Sequence, residues 1–142
     1  EVIDDGLGMT QDIVKNAWAV IATPYKMEHP SVERNGKRRM VSGNKGLGRF
    51  SAARLGKKMQ IITYNETDVC FAAEVNWEEF IESESIDKCK MFLKDYDKKK
   101  LLKKITEKVK TTSKTGTIIK ICDLNADWSI INKINFIFFV FY

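Results

Sequence analysis

Apolar residues recur at helical spacing in three segments of the chain. The first begins after Thr10, a predicted N-cap, and ends at Pro24; the second ends at Gly56; the third lies within residues 88–114. Their apolar stripes are Ile13, Val14, Ala17, Trp18 and Ile21 in the first, Leu47, Phe50, Ala53 and Leu55 in the second, and Leu101, Leu102, Ile105 and Val109 in the third. These spacings predict three amphipathic helices, of which the third is rich in lysine.

Runs of β-branched and other apolar residues predict strands between these helices. Val2 and Ile3 are typical of the end of a buried strand. Residues 59–64 and 69–77 are predicted to be two strands joined by a hairpin-like turn, and residues 118–121 form a further strand. Residues 25–42 have no periodicity and are predicted to be a loop.

Three glycine-containing segments occur where predicted strands meet loops and helices. They are Asp4-Asp5-Gly6-Leu7-Gly8-Met9-Thr10, Gly43-Asn44-Lys45-Gly46-Leu47-Gly48-Arg49-Phe50 and Thr115-Gly116-Thr117-Ile118. Glycine lets backbone approach a ligand closely, and a glycine loop that opens a helix directs N–H groups at an anion. The spacing of the second loop is neither that of a P-loop nor that of a dinucleotide-binding fingerprint. The three segments together indicate a nucleotide-binding site that is neither a P-loop nor a dinucleotide-binding crevice.

The first two loops carry side chains suited to a base and to phosphates. Asp4, at a strand end two residues before a glycine, can accept a hydrogen bond from an exocyclic amino group such as the adenine N6. Met9 can lie on the face of a base, although core packing is the alternative. Lys45 and Arg49 add positive charge to a phosphate-sized nest, although exposed basic residues are common in loops.

Composition narrows the class of protein only coarsely. The 142 residues, 44% hydrophobic and 30% charged, suit one globular domain, and a net charge of +5 admits anionic ligands such as ATP or nucleic acid. Three scattered cysteines and one histidine argue against a disulfide framework, a zinc site or a histidine-based triad. Because such cysteines suit a reducing cytosol, we expect a cytoplasmic protein. No signal-like segment is present, and the apolar residues 136–142 are too few to span a membrane.

In their order and spacing, the three glycine segments resemble the GHKL ATPase superfamily, which includes DNA gyrase, the heat-shock chaperone ATPase domain, histidine kinases and MutL. That family has DxGxG, GxxGxG and a late Gly-Thr strand, and residues 4–26 look most like its chaperone and MORC-like branches. The resemblance implies a two-layer α/β sandwich with helices on one face of a mixed sheet. It also implies ATP and Mg²⁺ as cofactors, and ATP binding or hydrolysis coupled to lid closure and conformational change.

The resemblance further implies a role for each matching residue. Asp4 would bind the adenine amino group, and Thr117 would support the adenine through its hydroxyl and a water, whereas Asp5 falls at a variable position. The glycines of the first loop would let the backbone pass the nucleotide, and the second loop would hold the phosphates. The implied nucleotide-binding residues are Asp4, Gly6, Gly8, Met9, Gly43, Lys45, Gly46, Leu47, Gly48, Arg49 and Thr117.

On this resemblance, residues 1–129 form a partial ATP-binding domain, with a lid at about 23–42 and a charged helical insertion at about 78–114. Residues 130–142 form an apolar tail of unknown role. The family's helix with the water-activating Glu and the Mg²⁺-holding Asn would precede Glu1, so we expect the chain to start inside the domain, the Mg²⁺ ligand to lie upstream and the catalytic residues to be absent from it.

Two other functions stay open at the level of the sequence. The basic segments could belong to a non-enzymatic module that binds nucleic acid, with salt-sensitive and nucleotide-independent affinity. Alternatively, the chain could be a degenerate family member that neither binds nor hydrolyses ATP. For the ATPase interpretation, the expected partners are ATP or ADP and a second copy of the chain in an ATP-dependent homodimer, with no membrane.

Overall fold

The computed structural model of the chain describes residues 1–18, 31–34, 36–40, 48–82 and 91–126. A π-helical turn at Val14–Trp18 follows directly on the first short helix. The remaining elements alternate between strands and short helices. In chain order they are β1 (Val2–Asp4), α1 (Gln11–Ile13), β2 (Ser31–Arg34), β3 (Lys37–Met40), α2 (Gly48–Leu55), β4 (Gly56–Tyr64), β5 (Phe71–Asn76), α3 (Trp77–Glu82), β6 (Met91–Asp95), α4 (Lys98–Val109) and β7 (Gly116–Leu124).

Five strands form one sheet in the order β1-β7-β4-β5-β6, and β2 and β3 form a separate hairpin. Every strand pair that the structure describes is antiparallel. Strand β4 is central, and its register places Ile61 between Ile119 and Ala73, and Ile62 between Ile118 and Ala72. Because successive side chains point to opposite faces of a strand, the two isoleucines of β4 lie on opposite faces of the sheet.

Both faces of the sheet are apolar and both carry helices. On the first face, Val14 of the π-helical turn and Ala52 of α2 pack with Ile61. On the second face, Leu101 and Ile105 of α4 pack with Ile62. The α/β fold is therefore confirmed, with an antiparallel rather than a mixed sheet in the described part and with α4 on the face opposite to α1 and α2.

Helix α4 confirms the helix predicted from the lysine-rich segment. Its N-cap is Asp97, whose side chain accepts hydrogen bonds from the backbone N–H groups of Lys99 and Lys100. Leu101 and Ile105, one turn apart, are fully buried, whereas most of the lysines are exposed. The lysines of α4 are thus accounted for by the solvent-facing side of a helix that covers the sheet.

Two segments differ from the sequence prediction. Met91–Asp95 lies within the expected helical insertion but forms β6, because it pairs along its length with β5 at the edge of the sheet. The expected loop at 25–42 contains the β2–β3 hairpin, whose turn includes Gly36 at a φ of +71°. The predicted lid at 23–42 is thus described only in part, and the predicted tail at 130–142 lies outside the described residues. None of the helices in the described part of the chain is long and apolar enough to cross a membrane.

Candidate functional site

Three polar residues form a row across the end of the sheet. The register pairs Asp4 of β1 with Thr117 of β7, and Thr117 with Thr63 of β4. Their neighbours Ile3, Ile118 and Ile62 belong to the cluster under α4. By alternation, the row therefore lies on the other face, the one that α1 and α2 cover, and the structure brings the predicted Asp4 and Thr117 together there.

A buried hydroxyl group attaches the first glycine loop to this row. Thr63 Oγ1 accepts a hydrogen bond from the backbone N–H of Met9 at 2.9 Å. The same oxygen lies 3.1 Å from Thr117 Oγ1 and 3.3 Å from the carbonyl oxygen of Gly116. Thr63 is fully buried and Thr117 is 5% exposed, so these contacts are shielded from bulk water. The side chain of Met9 packs against the apolar cluster of the first face.

Close backbone contacts explain two of the glycines. Gly8 has a φ of +70°, and a Cβ atom there would lie 1.9 Å from the carbonyl oxygen of Tyr64. A Cβ atom at Gly116 would lie 2.4 Å from the carbonyl oxygen of Asp4. Any side chain at either position would push the loop away from the sheet, so glycine is required at both for the loop to reach the row.

The carboxylate of Asp4 lies at the turn that begins the loop. Its Oδ1 accepts a hydrogen bond from the backbone N–H of Gly6 at 2.8 Å, and Asp4 is exposed. A carboxylate has two oxygens and about four acceptor positions, so a group of this kind can accept several hydrogen bonds at once. The turn also fixes the direction of the side chain, which is what a hydrogen bond to a base needs.

A strap of hydroxyl residues before β7 holds the other side of the loop. Thr111 Oγ1 donates to the carboxylate of Asp5 at 2.7 Å, and Ser113 Oγ lies 3.2 Å from the Asp5 carbonyl oxygen and 2.9 Å from the Thr115 carbonyl oxygen. Thr115 Oγ1 donates to the carbonyl oxygen of Gly6 at 2.7 Å. Asp5 thus has a structural partner in the fold, in keeping with its expected place outside the ligand site.

The start of α1 is fixed by Thr10 and by the turn between β4 and β5. Thr10 Oγ1 accepts from the N–H of Ile13 at 3.2 Å, which confirms the predicted N-cap. Asp68 accepts from the N–H groups of Gln11 and Val69, both at 2.7 Å, and these bonds lower the pKa of its carboxyl group. An open depression of about 560 Å³ lies beside this junction, and its lining contains none of the row residues.

The second glycine loop is described only at its end. Gly48 is the first residue of α2 and Arg49 the second, so the loop opens a helix as predicted. The side chain of Arg49 and the predicted ligands Gly43, Lys45, Gly46 and Leu47 lie outside the described residues. Of the predicted site residues, the structure therefore brings together those of the first loop and of β7, namely Asp4, Gly6, Gly8, Met9 and Thr117.

Sequence reasoning missed the residues that hold the loop in place, which are Thr63, Asn65, Thr111, Ser113 and Thr115. Asn65 also holds the first glycine loop, since its Nδ2 donates a hydrogen bond to the carbonyl oxygen of Leu7 at 2.9 Å. The sequence did contain a sign of the role of Thr63. A hydroxyl group at an inward position of the buried strand β4 needs a hydrogen-bond partner, so a polar residue there predicts a buried hydrogen bond. The strap residues Thr111, Ser113 and Thr115 carry no such signal, since polar residues are common in the segments that connect helices and strands.

The described part of the chain holds few candidate groups for metal binding or nucleophilic chemistry. Within residues 1–18, 31–34, 36–40, 48–82 and 91–126, no three His, Cys, Asp or Glu side chains are placed to hold a metal ion. Cys70 is buried in the cluster under α4, and this burial raises the pKa of its thiol to about 11. That thiol stays protonated at neutral pH and is a poor nucleophile.

Comparison with known proteins points to one family. The family model described as "Histidine kinase-, DNA gyrase B-, and HSP90-like ATPase" matches residues 1–118. The match covers the first two glycine loops, the strand that carries Thr63, and the Gly-Thr pair of β7. A search of curated proteins finds no match to the chain.

Proposed function

Because the chain belongs to the family of histidine kinase-, DNA gyrase B- and HSP90-like ATPases, we propose that its ATP-binding domain recognises adenine through Asp4 and Thr117. The observation that supports this proposal is their pairing across β1 and β7, at the point where the first glycine loop leaves the sheet. Asp4 is an acceptor for the N6 amino group, and Thr117 offers a hydroxyl beside it. Within this family, we propose that the chain is most similar to the chaperone and MORC-like branches, on the basis of the first glycine loop and the helix that follows it.

The surroundings of this pair suit a planar base. Met9 and Ile119 are partly buried and pack on the cluster of the first face, next to the row. A base that lies over them would meet apolar side chains on its face and polar groups at its edge. The loop that supplies Met9 is fixed from both sides, by Thr63 and by Thr115. Such fixed geometry lowers the cost of ordering the site on binding.

The phosphates would lie at the second loop. Gly43 and Gly46 precede α2 in the sequence and Gly48 is its first residue. The N-terminus of a helix attracts anions through its free N–H groups and its dipole. Lys45 and Arg49 would add positive charge, and Mg²⁺ would enter with the phosphates. Residues 23–42, which include the β2–β3 hairpin, would form a lid that closes on ATP and promotes pairing of two copies.

Calorimetry of ATP binding tests the adenine assignment with two neighbouring carboxylates. We expect Asp4→Ala to weaken ATP binding by about 5- to 150-fold, the equivalent of losing a buried hydrogen bond to a charged group. Asp5→Ala is the matched control, because it removes the neighbouring carboxylate of the same loop, which accepts a hydrogen bond from Thr111. A thermal melt of each variant separates loss of fold from loss of binding.

The outcomes distinguish the candidate functions. Equal ATP affinity in the two variants, or equal affinity of the unaltered chain for ATP and GTP, would remove Asp4 from the site. No binding of any nucleotide would favour a degenerate family member. Salt-sensitive binding of DNA or RNA without nucleotide binding would instead favour a basic interaction module. A phosphate-release assay then reports whether bound ATP is hydrolysed.

A further inference from the structure

Helix α4 and the residues next to it carry a concentration of positive charge. Residues 97–114 contain eight lysines and two acidic residues, a net charge of +6, whereas the whole chain has a net charge of +5. Exposure to solvent explains why the outer side of α4 is polar, but a mixture of both signs would serve that purpose equally well. The excess of one sign is therefore not explained by exposure alone.

Several of these lysines oppose the stability of the helix that carries them. Lys98, Lys99 and Lys100 occupy its first turn, where the positive end of the helix dipole disfavours cations. Like charges four residues apart repel each other, and α4 contains three such lysine pairs, at positions 99 and 103, 100 and 104, and 104 and 108. Departures from local rules of this kind are expected at functional sites.

Contacts within the fold neutralise only part of this charge. Lys104 forms an ion pair with the first residue of the chain at 2.5 Å. Lys103 lies 4.0 Å from Glu107, and both side chains are largely exposed, where an ion pair contributes little. Lys99 and Lys110 form no salt bridge with any residue that the structure describes. The repulsion among the outer lysines is thus not offset by the protein itself in its described part.

Three of the lysines form a row on the side of α4 that faces away from the sheet. At 3.6 residues per turn, Lys99, Lys103 and the C-cap Lys110 share one side, opposite to the buried Leu101 and Ile105. All three lysines are exposed, and they extend over about 16 Å along the helix axis. Lys110 has a φ of +55°, a conformation usually taken by glycine at this position, so backbone preference does not explain a lysine there. We call these three residues the lysine ridge.

We propose that the lysine ridge binds double-stranded DNA through its phosphate backbone. The lysine ammonium group is a compact point charge that suits phosphates, and phosphate contacts give affinity without reading sequence. Helix α4 contains no Arg, Asn or Gln, the usual readers of guanine and adenine. Binding is therefore expected to be independent of sequence and strongly dependent on salt.

The composition of the ridge favours duplex DNA over other anionic partners. Residues 99–110 include no aromatic residue on which the bases of a single strand could stack, and Val109 is their only exposed apolar residue, whereas a membrane surface needs several apolar anchors. Protein–protein interfaces are depleted in lysine. The major groove of B-form DNA admits a helix, whereas that of an RNA duplex is too deep and narrow for side chains to read.

The test is fluorescence anisotropy with a short labelled DNA duplex of arbitrary sequence over a range of KCl concentrations. The ridge variant, Lys99→Gln with Lys103→Gln and Lys110→Gln, removes three charges and keeps long polar side chains. Each phosphate contact contributes about −0.9 to the slope of log K against log salt concentration. The slope of the ridge variant should therefore be shallower by about 2 to 3, and its DNA affinity at low salt should fall about tenfold or more.

A charge-matched control variant combines Lys15→Gln, Lys57→Gln and Lys58→Gln. It lowers the net charge by the same amount, but at lysines outside α4 that already contact side-chain oxygens of the protein. Its DNA affinity should stay within about threefold of that of the unaltered chain, because exposed charges away from the bound DNA are screened by salt. An equal loss in the two variants would mean that net charge alone attracts DNA, and it would overturn the inference.

The remaining outcomes separate this inference from the proposed function. Failure of the unaltered chain to bind duplex DNA, or binding of an RNA duplex or of phosphatidylserine vesicles at least as tightly as DNA, overturns the inference and leaves the adenine assignment intact. Because α4 packs on the face opposite to the row of Asp4, Thr117 and Thr63, the ridge variant should keep its ATP affinity within about twofold. Loss of lysine repulsion should leave this variant at least as stable in urea as the unaltered chain. A clearly lower unfolding midpoint would mean that the lysines stabilise the fold, and it would also overturn the inference.

Discussion

Replacing Gly8 by alanine should detach the first glycine loop from the sheet. Gly8 has a φ of +70°, a left-handed conformation that costs an L-residue about 1–2 kcal/mol. The new Cβ atom would lie 1.9 Å from the Tyr64 carbonyl oxygen, whereas real Cβ atoms stay at least 3.0 Å from such an atom. The backbone of the loop must therefore retreat by about 1.1 Å.

This retreat has a further cost at the next residue. The N–H of Met9 donates to Thr63 Oγ1 at 2.9 Å, and a shift of that size takes the two atoms outside hydrogen-bond range. Losing a bond to a buried hydroxyl costs about 1–3 kcal/mol. Together with the strained φ, we expect Gly8→Ala to lower the free energy of unfolding by about 2–5 kcal/mol.

The β2–β3 turn provides a matched control for this measurement. Gly36 has nearly the same φ, +71°, but a Cβ atom there would meet nothing within 4 Å. Gly36→Ala should therefore carry only the conformational cost, about 1–2 kcal/mol. In urea unfolding followed by circular dichroism, the midpoint of Gly8→Ala should fall below that of Gly36→Ala by roughly 1 M, given typical denaturant slopes. Coincident midpoints would refute the view that contact with the sheet requires Gly8.

Two further predictions concern the junction of α1 and the cluster under α4. Asp68→Asn should destabilise the protein at neutral pH, because hydrogen bonds from the N–H groups of Gln11 and then Val69 hold the pKa of Asp68 below its usual value. A lowered pKa stabilises the fold above the unfolded pKa, so the difference between the two proteins should persist down to about pH 4 and shrink below it, as pH-dependent denaturation can show. Leu101→Ala should cost about 2–5 kcal/mol in the same urea assay, and the partly exposed Val109→Ala clearly less; equal losses would contradict the burial of Leu101.

Periodicity predicted the long elements of the main sheet and α4 because each of them has buried residues on one or both sides. Helix α4 is an example, since Leu101 and Ile105 mark its inner stripe. Strand β6 escaped prediction because Phe92 is 58% exposed while its neighbours Met91 and Leu93 point inward, so the strand has no visible alternation of apolar and polar residues. Its pairing with β5 is a tertiary effect that local sequence does not show.

The hairpin and the second helical layer were missed for different reasons. The Asn-Gly pair at positions 35–36 is a strong signal for a two-residue hairpin turn. The residues around it are largely basic, however, and lack the alternation of apolar and polar residues by which strands are predicted. The placement of α4 was open because an apolar stripe does not indicate which face of a sheet it covers. Adjacent buried residues in β4, Ile61 and Ile62, do indicate a sheet covered on both faces.

Asp4 and Thr117 could be predicted as parts of a site because glycines mark both segments. The supporting hydroxyls could not, because their role depends on which strands are neighbours. Thr63 becomes informative only once β4 is known to pair with β7, which brings its hydroxyl to Thr117 and to the loop. Local motifs thus predict candidate ligand-binding groups, whereas the residues that hold those groups in place become evident only from the topology.

The two faces of the sheet should therefore respond differently to mutation. Leu101 is on the buried side of α4 and packs on the face of the sheet opposite to the row of Asp4, Thr117 and Thr63. Leu101→Ala should lower stability while leaving the ATP dissociation constant of the folded protein unchanged within about twofold, because no loop contact is altered. Gly8→Ala should change both quantities, since it displaces Met9 from Thr63. Calorimetry well below the melting temperature of each variant measures the two ATP dissociation constants. A large loss of ATP affinity in Leu101→Ala would mean that ATP binding depends on the whole sheet rather than on the loop that covers one face.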